Sequence, residues 1–161
     1  MVKRRIQYHV FTGIAMSLHG VTWRVNASAL DNMDLLEDSL KWVSGEKSII
    51  NRTKDKSFHG SEQYLIVAQT QKRKEAIESL KKLGDDVLTD ILKEGIEKRI
   101  DDSKNLHIRL ELSKLVAGEI SLADKKTTSS TVKGKFKIES YPGEKSSEVI
   151  SKLIETILDN N

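Results

Sequence analysis

The chain has 161 residues, 37% hydrophobic and 32% charged, with no cysteine. That length fits one ordinary domain with a real core. The missing cysteine excludes disulfides, thiolate metal sites and cysteine nucleophiles, and fits a reducing, cytoplasmic interior. The formal charge of +3 is too small for a polybasic arm, so the placement of the 27 basic residues against the 24 acidic ones matters more than their sum.

Two stretches stand out by charge. The first thirty residues hold Lys3, Arg4, Arg5 and Arg24 with no acid, and residues 125–137 hold five lysines with no acid. The opening MVKRRIQYHVFTGIAMSL is basic and then partly apolar. Arg5, Gln7, Tyr8 and His9 interrupt it and no small-residue cleavage pattern comes after, which argues against a signal peptide. No apolar run reaches the length of a membrane span. Residues 1–19 read as an N-terminal extension ahead of a single unit over 20–161. Met16 is a candidate for the true start, which would make residues 1–15 extra.

In chain order, VTWRVNASA (21–29) alternates, with Val21, Trp23, Val25, Ala27 and Ala29 on one side and Thr22, Arg24, Asn26 and Ser28 on the other. That is the pattern of a half-buried strand. Asp31 or Asn32 then caps a helix built on Met33, Leu36, Leu40 and Val43 and stopped by Gly45. Residues 47–53 and 62–70 read as two strands joined by the polar KDKSFHGS. A helix over 72–83 ends at Gly84, and Asp85 or Asp86 caps another that runs to about Ile100. Asp101-Asp102-Ser103 is a turn. LHIRLEL (106–112) alternates, and VAGEISL (116–122) is expected to pair back on it as a further strand. ADKKTTSST is the softest connection. VKGKFKIES (132–140) alternates again, placing Val132, Phe136 and Ile138 inward and Lys133, Lys135 and Lys137 outward, and a last helix spans about 146–158. Strands arriving in runs, each with one polar face, predict an α+β fold: a mainly antiparallel sheet with helices packed on one side.

Catalytic chemistry finds little support. There is no glycine-rich phosphate loop, no G-x-S-x-G elbow and no H-E-x-x-H pair. His9, His19, His59 and His107 are scattered singly, with no cluster of carboxylates evident beside any of them. The Asp85-Asp86 and Asp101-Asp102 pairs fall where a cap and a turn are needed, and adjacent side chains diverge. Trp23 and Trp42 lie on apolar faces and read as core. Neither a metal nor a cofactor is expected. The positive signal is the outward sheet face: Arg24, Asn26, His107, Arg109, Lys133, Lys135 and Lys137, with Glu111 and Glu139 the only acids. Such cations neutralise phosphates and release counterions. The plain alternative is a solvated face, since lysine is routine on exposed strands.

EKRIDDSKNLHIRLEL (97–112), then Gly118-Glu119, then VKGKFKIESYPGEKSSEVI resembles the archaeal predicted exosome-subunit, RNA-binding protein family. WRVNASALDN and SFHGSEQYLIV resemble earlier family segments in register, so the likeness covers about residues 20–158. Departures stand at Ala29-Leu30-Asp31-Asn32, at Ser61 after Gly60, and at Leu112-Ser113-Lys114 where the family has Lys-Gln-Ala. The resemblance implies a fold similar to the ribosomal proteins that bind 5S RNA, and RNA binding without catalysis, with exosome or ribosomal components as partners. The rival expectation is an accessory subunit that docks on proteins and does not touch RNA. For RNA, the seven outward residues are the expected contacts. The face has no outward aromatic, which favours structured or double-stranded RNA recognised by shape and backbone.

Overall fold

The computed structural model describes residues 17–56, 62–127 and 130–160. The candidate start at Met16, His9, His59 and the KDKSFHGS tip lie outside the described residues, wholly or in part. Five strands, β1 (Leu18–Ser28), β2 (Ile49–Lys56), β3 (Glu62–Thr70), β4 (Asn105–Glu111) and β5 (Thr131–Ile138), form one sheet in the order β2-β3-β1-β5-β4. Every neighbouring pair is antiparallel. The helices are α1 (Met33–Ser44), α2 (Arg73–Lys81), α3 (Asp85–Glu94), α4 (Leu112–Val116) and α5 (Ser146–Asp159). The α+β architecture is therefore the one the alternation predicts. β1 spans Leu18–Ser28, beginning three residues ahead of the alternating stretch at 21–29.

Alternation along the strands sorts the sheet into two faces. Val21, Trp23, Val25, Ile66, Ala68, Leu106, Ile108, Leu110, Val132 and Phe136 are buried against the helices. Their neighbours Arg24, Asn26, His107, Arg109, Lys133, Lys135 and Lys137 are exposed on the opposite face. The helices supply the other half of the core through Leu40, Leu80, Leu88, Ile91, Ile150 and Ile154. No helix among the described residues is long and apolar enough to cross a membrane.

Trp23 is the centre of this packing. It is fully buried and lies opposite Gly134 in the β1–β5 register. A Cβ at Gly134 would stand 2.5–2.7 Å from three ring carbons of the indole, so only glycine leaves room. Phe136 meets the same ring edge-on at 5.7 Å between centroids. The indole Nε1 donates to Ser79 Oγ at 2.8 Å, and that hydroxyl donates to the Val43 carbonyl at 2.6 Å. One buried polar chain thus ties β1 to α2 and α1.

Several local expectations are corrected. Residues 116–122 do not form a strand. Leu112, Leu115 and Val116 fall at helical rather than alternating spacing, and they fold as α4, which ends at Gly118 with φ of 83°. The segment after Gly118 meets β4 only through an isolated bridge of Leu110 with Leu122 and two backbone bonds, Glu111 N–H to Ser121 and Ala123 N–H to Arg109. The helix expected to run to Ile100 stops at Gly95, whose φ is 95°, and Ile96–Arg99 closes as a 3₁₀ turn. Asn32 caps α1 by accepting from the Leu35 N–H at 3.1 Å. Gly84, rather than either aspartate, stands at the α3 cap, and Asp85 and Asp86 occupy the first turn, where the helix dipole favours them. β2 is shifted to 49–56. Ala29 is exposed. Trp42 is 37% exposed, with Lys82 Nζ 5.0 Å above its ring, and so is not core.

Two substitutions test the Trp23 centre by urea unfolding. Gly134→Ala should destabilise by about 1–3 kcal/mol through overpacking against the indole, despite the backbone entropy that glycine ordinarily costs. Ser79→Ala should destabilise by about 1–3 kcal/mol, because it strands a buried indole N–H.

Candidate nucleic-acid interface

Register places the outward residues side by side. Arg24 pairs with Lys133, and Lys133 pairs with Arg109, so three cations stand in one row across β1, β5 and β4. Adjacent strands lie about 4.8 Å apart, and alternate residues recur about every 6.6 Å along a strand. The next row is Gln69, Thr22, Lys135 and His107, and the one after it brings Lys137 beside Asn105. The three lysines of β5 thus run down the middle of the face, flanked by Arg24 and Asn26 on one side and by Arg109 and His107 on the other.

The charge balance favours anions. Among the described residues, none of Arg24, Arg109, Lys133, Lys135 and Lys137 takes part in an ion pair. Glu111 is the one acid on β1, β4 and β5, and it stands at the end of β4 opposite Thr131. Glu139, expected on this face, lies just past the end of β5. It is half-buried, held by Arg73 at 3.1 Å with His19 at 3.7 Å. A depression of about 450 Å³ over Arg24, Asn26, Leu65, Arg109, Thr131 and Lys133 runs along the cationic row. The pairing of β2 and β3 sets a different surface next to it: Ile49, Leu65 and Val67 with the amides Asn51 and Gln69. Among the described residues there is no group of three acidic or histidine side chains that could hold a metal ion.

Asp101 has a set of partners that the sequence pattern does not reveal. The pattern places it in a turn, which it does make: its Oδ1 accepts from the Ser103 and Asn105 backbone N–H groups, both at 2.9 Å. The same carboxylate accepts from the Asn105 side-chain amide and lies 2.6 Å from His107 Nε2. His107 therefore does have a carboxylate beside it. An ionised carboxylate can only accept, so Nε2 carries the proton and Nδ1 is left for other contacts. The His107 hydrogen bond, with the backbone N–H of Asn105 second to it, holds the Asp101 carboxyl below the usual aspartate range. The available signal is the spacing of Asp101, Asn105 and His107 around a turn closed by Lys104, which has a φ of 63°. Lys104 donates its N–H to the Asp101 carbonyl and accepts from Ile138.

A depressed folded-state value fixes the sign of the pH dependence. The stability that Asp101 contributes is complete above the unfolded aspartate value of about 3.9 and is lost as pH falls below it toward the folded value. The difference in Tm between the wild type and Asp101→Asn should therefore shrink as the pH is lowered below about 4. A gap that widens on acidification would contradict this assignment.

Comparison with known proteins gives a consistent result. No curated protein matches the chain. Among solved structures, a DUF54 protein of Methanothermobacter thermautotrophicus superimposes with a TM-score of 0.70 at 21% identity, covering 88% of this chain and 98% of that one. A DUF54 protein of Archaeglobus fulgidus gives 0.71 at 21% identity, covering 84% and 99%. A UPF0201 protein of Methanococcus jannaschii gives 0.55 at 12% identity, covering 84% and 98%. At these identities the likeness is one of fold. A family model described as RNA binding matches residues 20–138, which span the whole sheet from β1 to β5 apart from the first two residues of β1, and the chain belongs to this RNA-binding family.

Proposed function

We propose that the protein is a non-catalytic binder of structured or double-stranded RNA and that the helix-free face of β1, β5 and β4 is the contact surface. Arg24, Arg109, Lys133, Lys135 and Lys137 meet phosphates, while Asn26 and His107 add hydrogen bonds to the sugar–phosphate backbone. The unit that does this runs from residue 20 onward and works in the cytoplasm. On the strength of the family resemblance, it serves beside the exosome or in ribosome assembly.

The observation that carries this reading is the row Arg24–Lys133–Arg109. Like charges directly opposite on neighbouring strands destabilise a sheet. The row has no acid within it, so a polyanion is the natural partner for it. Arginine forks onto phosphate oxygens in two-point geometry and lysine supplies mobile point charges. The outward strand residues include no Phe, Tyr or Trp, so stacking of successive bases on such rings is not the mode. The rival, a protein-docking subunit, draws on Leu30 and Leu35, which are exposed near the start of α1. These two side chains lie away from the cationic row, so separate experiments address them.

The test is a titration of an RNA duplex against salt. The log–log plot should fall by about 0.7–0.9 per phosphate neutralised. Replacing Lys133, Lys135 and Lys137 together with glutamine should weaken binding for all duplex sequences alike, while stability is unchanged or slightly raised at low salt. The same change at Lys72, Lys74 and Lys81, on and beside α2, should matter much less. Equal losses from the two sets would mean diffuse attraction with no defined face. Affinity indifferent to salt would favour the docking reading.

A further inference from the structure

At one end of the sheet a second recess, about 520 Å³ in volume, differs in character from the cationic row. It is lined by His19, Thr22, Gln69, Gln71, Ser103, Asn105, Lys135 and Lys137 around the backbone of Gly20, Val21 and Thr70. We infer that this recess holds a single unpaired nucleotide of the bound RNA, its phosphate on Lys135 and Lys137 and its base edge against the amides of Gln69, Gln71 and Asn105. The inference rests on the RNA-binding reading above and names the part of the RNA that this end of the face selects.

Three observations carry it. The volume lies within the range of sites that enclose small ligands, about 300–1,000 Å³, and suits a mononucleotide. The lining contains no carboxylate, and the two that touch it from behind, Asp101 at Asn105 and Glu139 at His19, are engaged by His107 and Arg73. Its functional groups are also of two kinds. Lysines suffice for a phosphate, but three planar amides beside them match the donor and acceptor pattern of a base. Register sets Gln69, Thr22 and Lys135 in one row and Lys137 beside Asn105 in the next, so Asn105 stands one strand spacing from Lys137 and Gln69 two from Lys135. The Asn105 amide is fixed beforehand, because its nitrogen donates to Asp101 at 3.2 Å. Its oxygen is thereby left as an oriented acceptor.

The base must be unpaired. In an A-form duplex the Watson–Crick edges are occupied and the major groove is too narrow for side chains. The minor-groove edges lie on a shallow surface of the duplex that does not enter a recess, so amides there meet a base splayed out of the stack, at an overhang or a bulge. The duplex lies on the lysine and arginine row while the splayed nucleotide enters the recess, and Lys135 belongs to both.

The experiment compares two RNA duplexes of equal phosphate count, one blunt and one with a single-nucleotide overhang, on the full chain at fixed salt. The overhang should bind about tenfold tighter, the order expected of base-edge contacts. Gln69→Ala/Gln71→Ala should remove that preference and leave the blunt duplex and its salt slope unchanged. Gln69→Leu/Gln71→Leu, which keeps side-chain volume, should do the same, with thermal melting confirming that both variants fold. Equal binding of the two RNAs by the wild type would overturn the recess while leaving duplex binding in place. A preference that survives both variants would overturn its location. Free uridine or adenosine monophosphate binding as tightly as the overhang duplex would make this a small-molecule site and overturn the inference. No binding of either duplex would overturn both this inference and the reading on which it rests.

Discussion

Trp23 lying flat over Gly134 is the contact on which the rest of the structure depends. The indole fills the space a side chain would need on β5, so β1 and β5 pair closely at the centre of the sheet. Its N–H needs a partner once buried, and the Ser79 hydroxyl accepts from it while donating its own hydrogen bond to the Val43 carbonyl. One side chain thereby sets the β1–β5 register and the seating of α1 and α2 on the same face. Because the side-chain period of a strand is two, fixing Trp23 and Gly134 inward fixes Arg24, Lys133 and Lys135 outward. The core contact and the cationic face are consequences of one register.

That coupling explains why the face tolerates its own repulsion. A row of three cations across neighbouring strands opposes strand pairing, yet each of its members is flanked along the strand by deeply buried residues: Trp23 and Val25, Val132 and Gly134, Ile108 and Leu110. Burying a large apolar side chain is worth about 1.5–3 kcal/mol, more than the roughly 0.2–1 kcal/mol scale of interactions between exposed charges. The sheet can therefore hold its cations close together without acids between them, the condition under which they attract a polyanion most strongly.

Asp101 plays the corresponding part at the edge. It is exposed and needs no buried partner, but its two oxygens collect the turn backbone, the Asn105 amide and the His107 ring into one hydrogen-bonded group. The turn that brings β4 into the sheet is thus the same structure that orients two side chains on its outer surface.

Alternation is legible in the chain alone, and it suffices for the α+β class, the antiparallel sheet, the buried Trp23 and the outward placement of all seven candidate residues. It is a local property, and burial of one face converts it directly into orientation. The residues also carry the resemblance that the family match over 20–138 bears out at the level of RNA binding. Whatever depends on neighbours far along the chain needed the folded molecule. That Arg24, Lys133 and Arg109 share a row comes from the strand order β1-β5-β4, which no local pattern specifies. That Glu139 leaves the face comes from Arg73, sixty-six residues away. The apolar run at 112–116 is ambiguous between strand and helix, and packing of Leu115 into the core resolves it. The recess by Lys135 draws on β1, β3, β4 and β5 and the residues next to them, so it exists only once the register of the whole sheet is set.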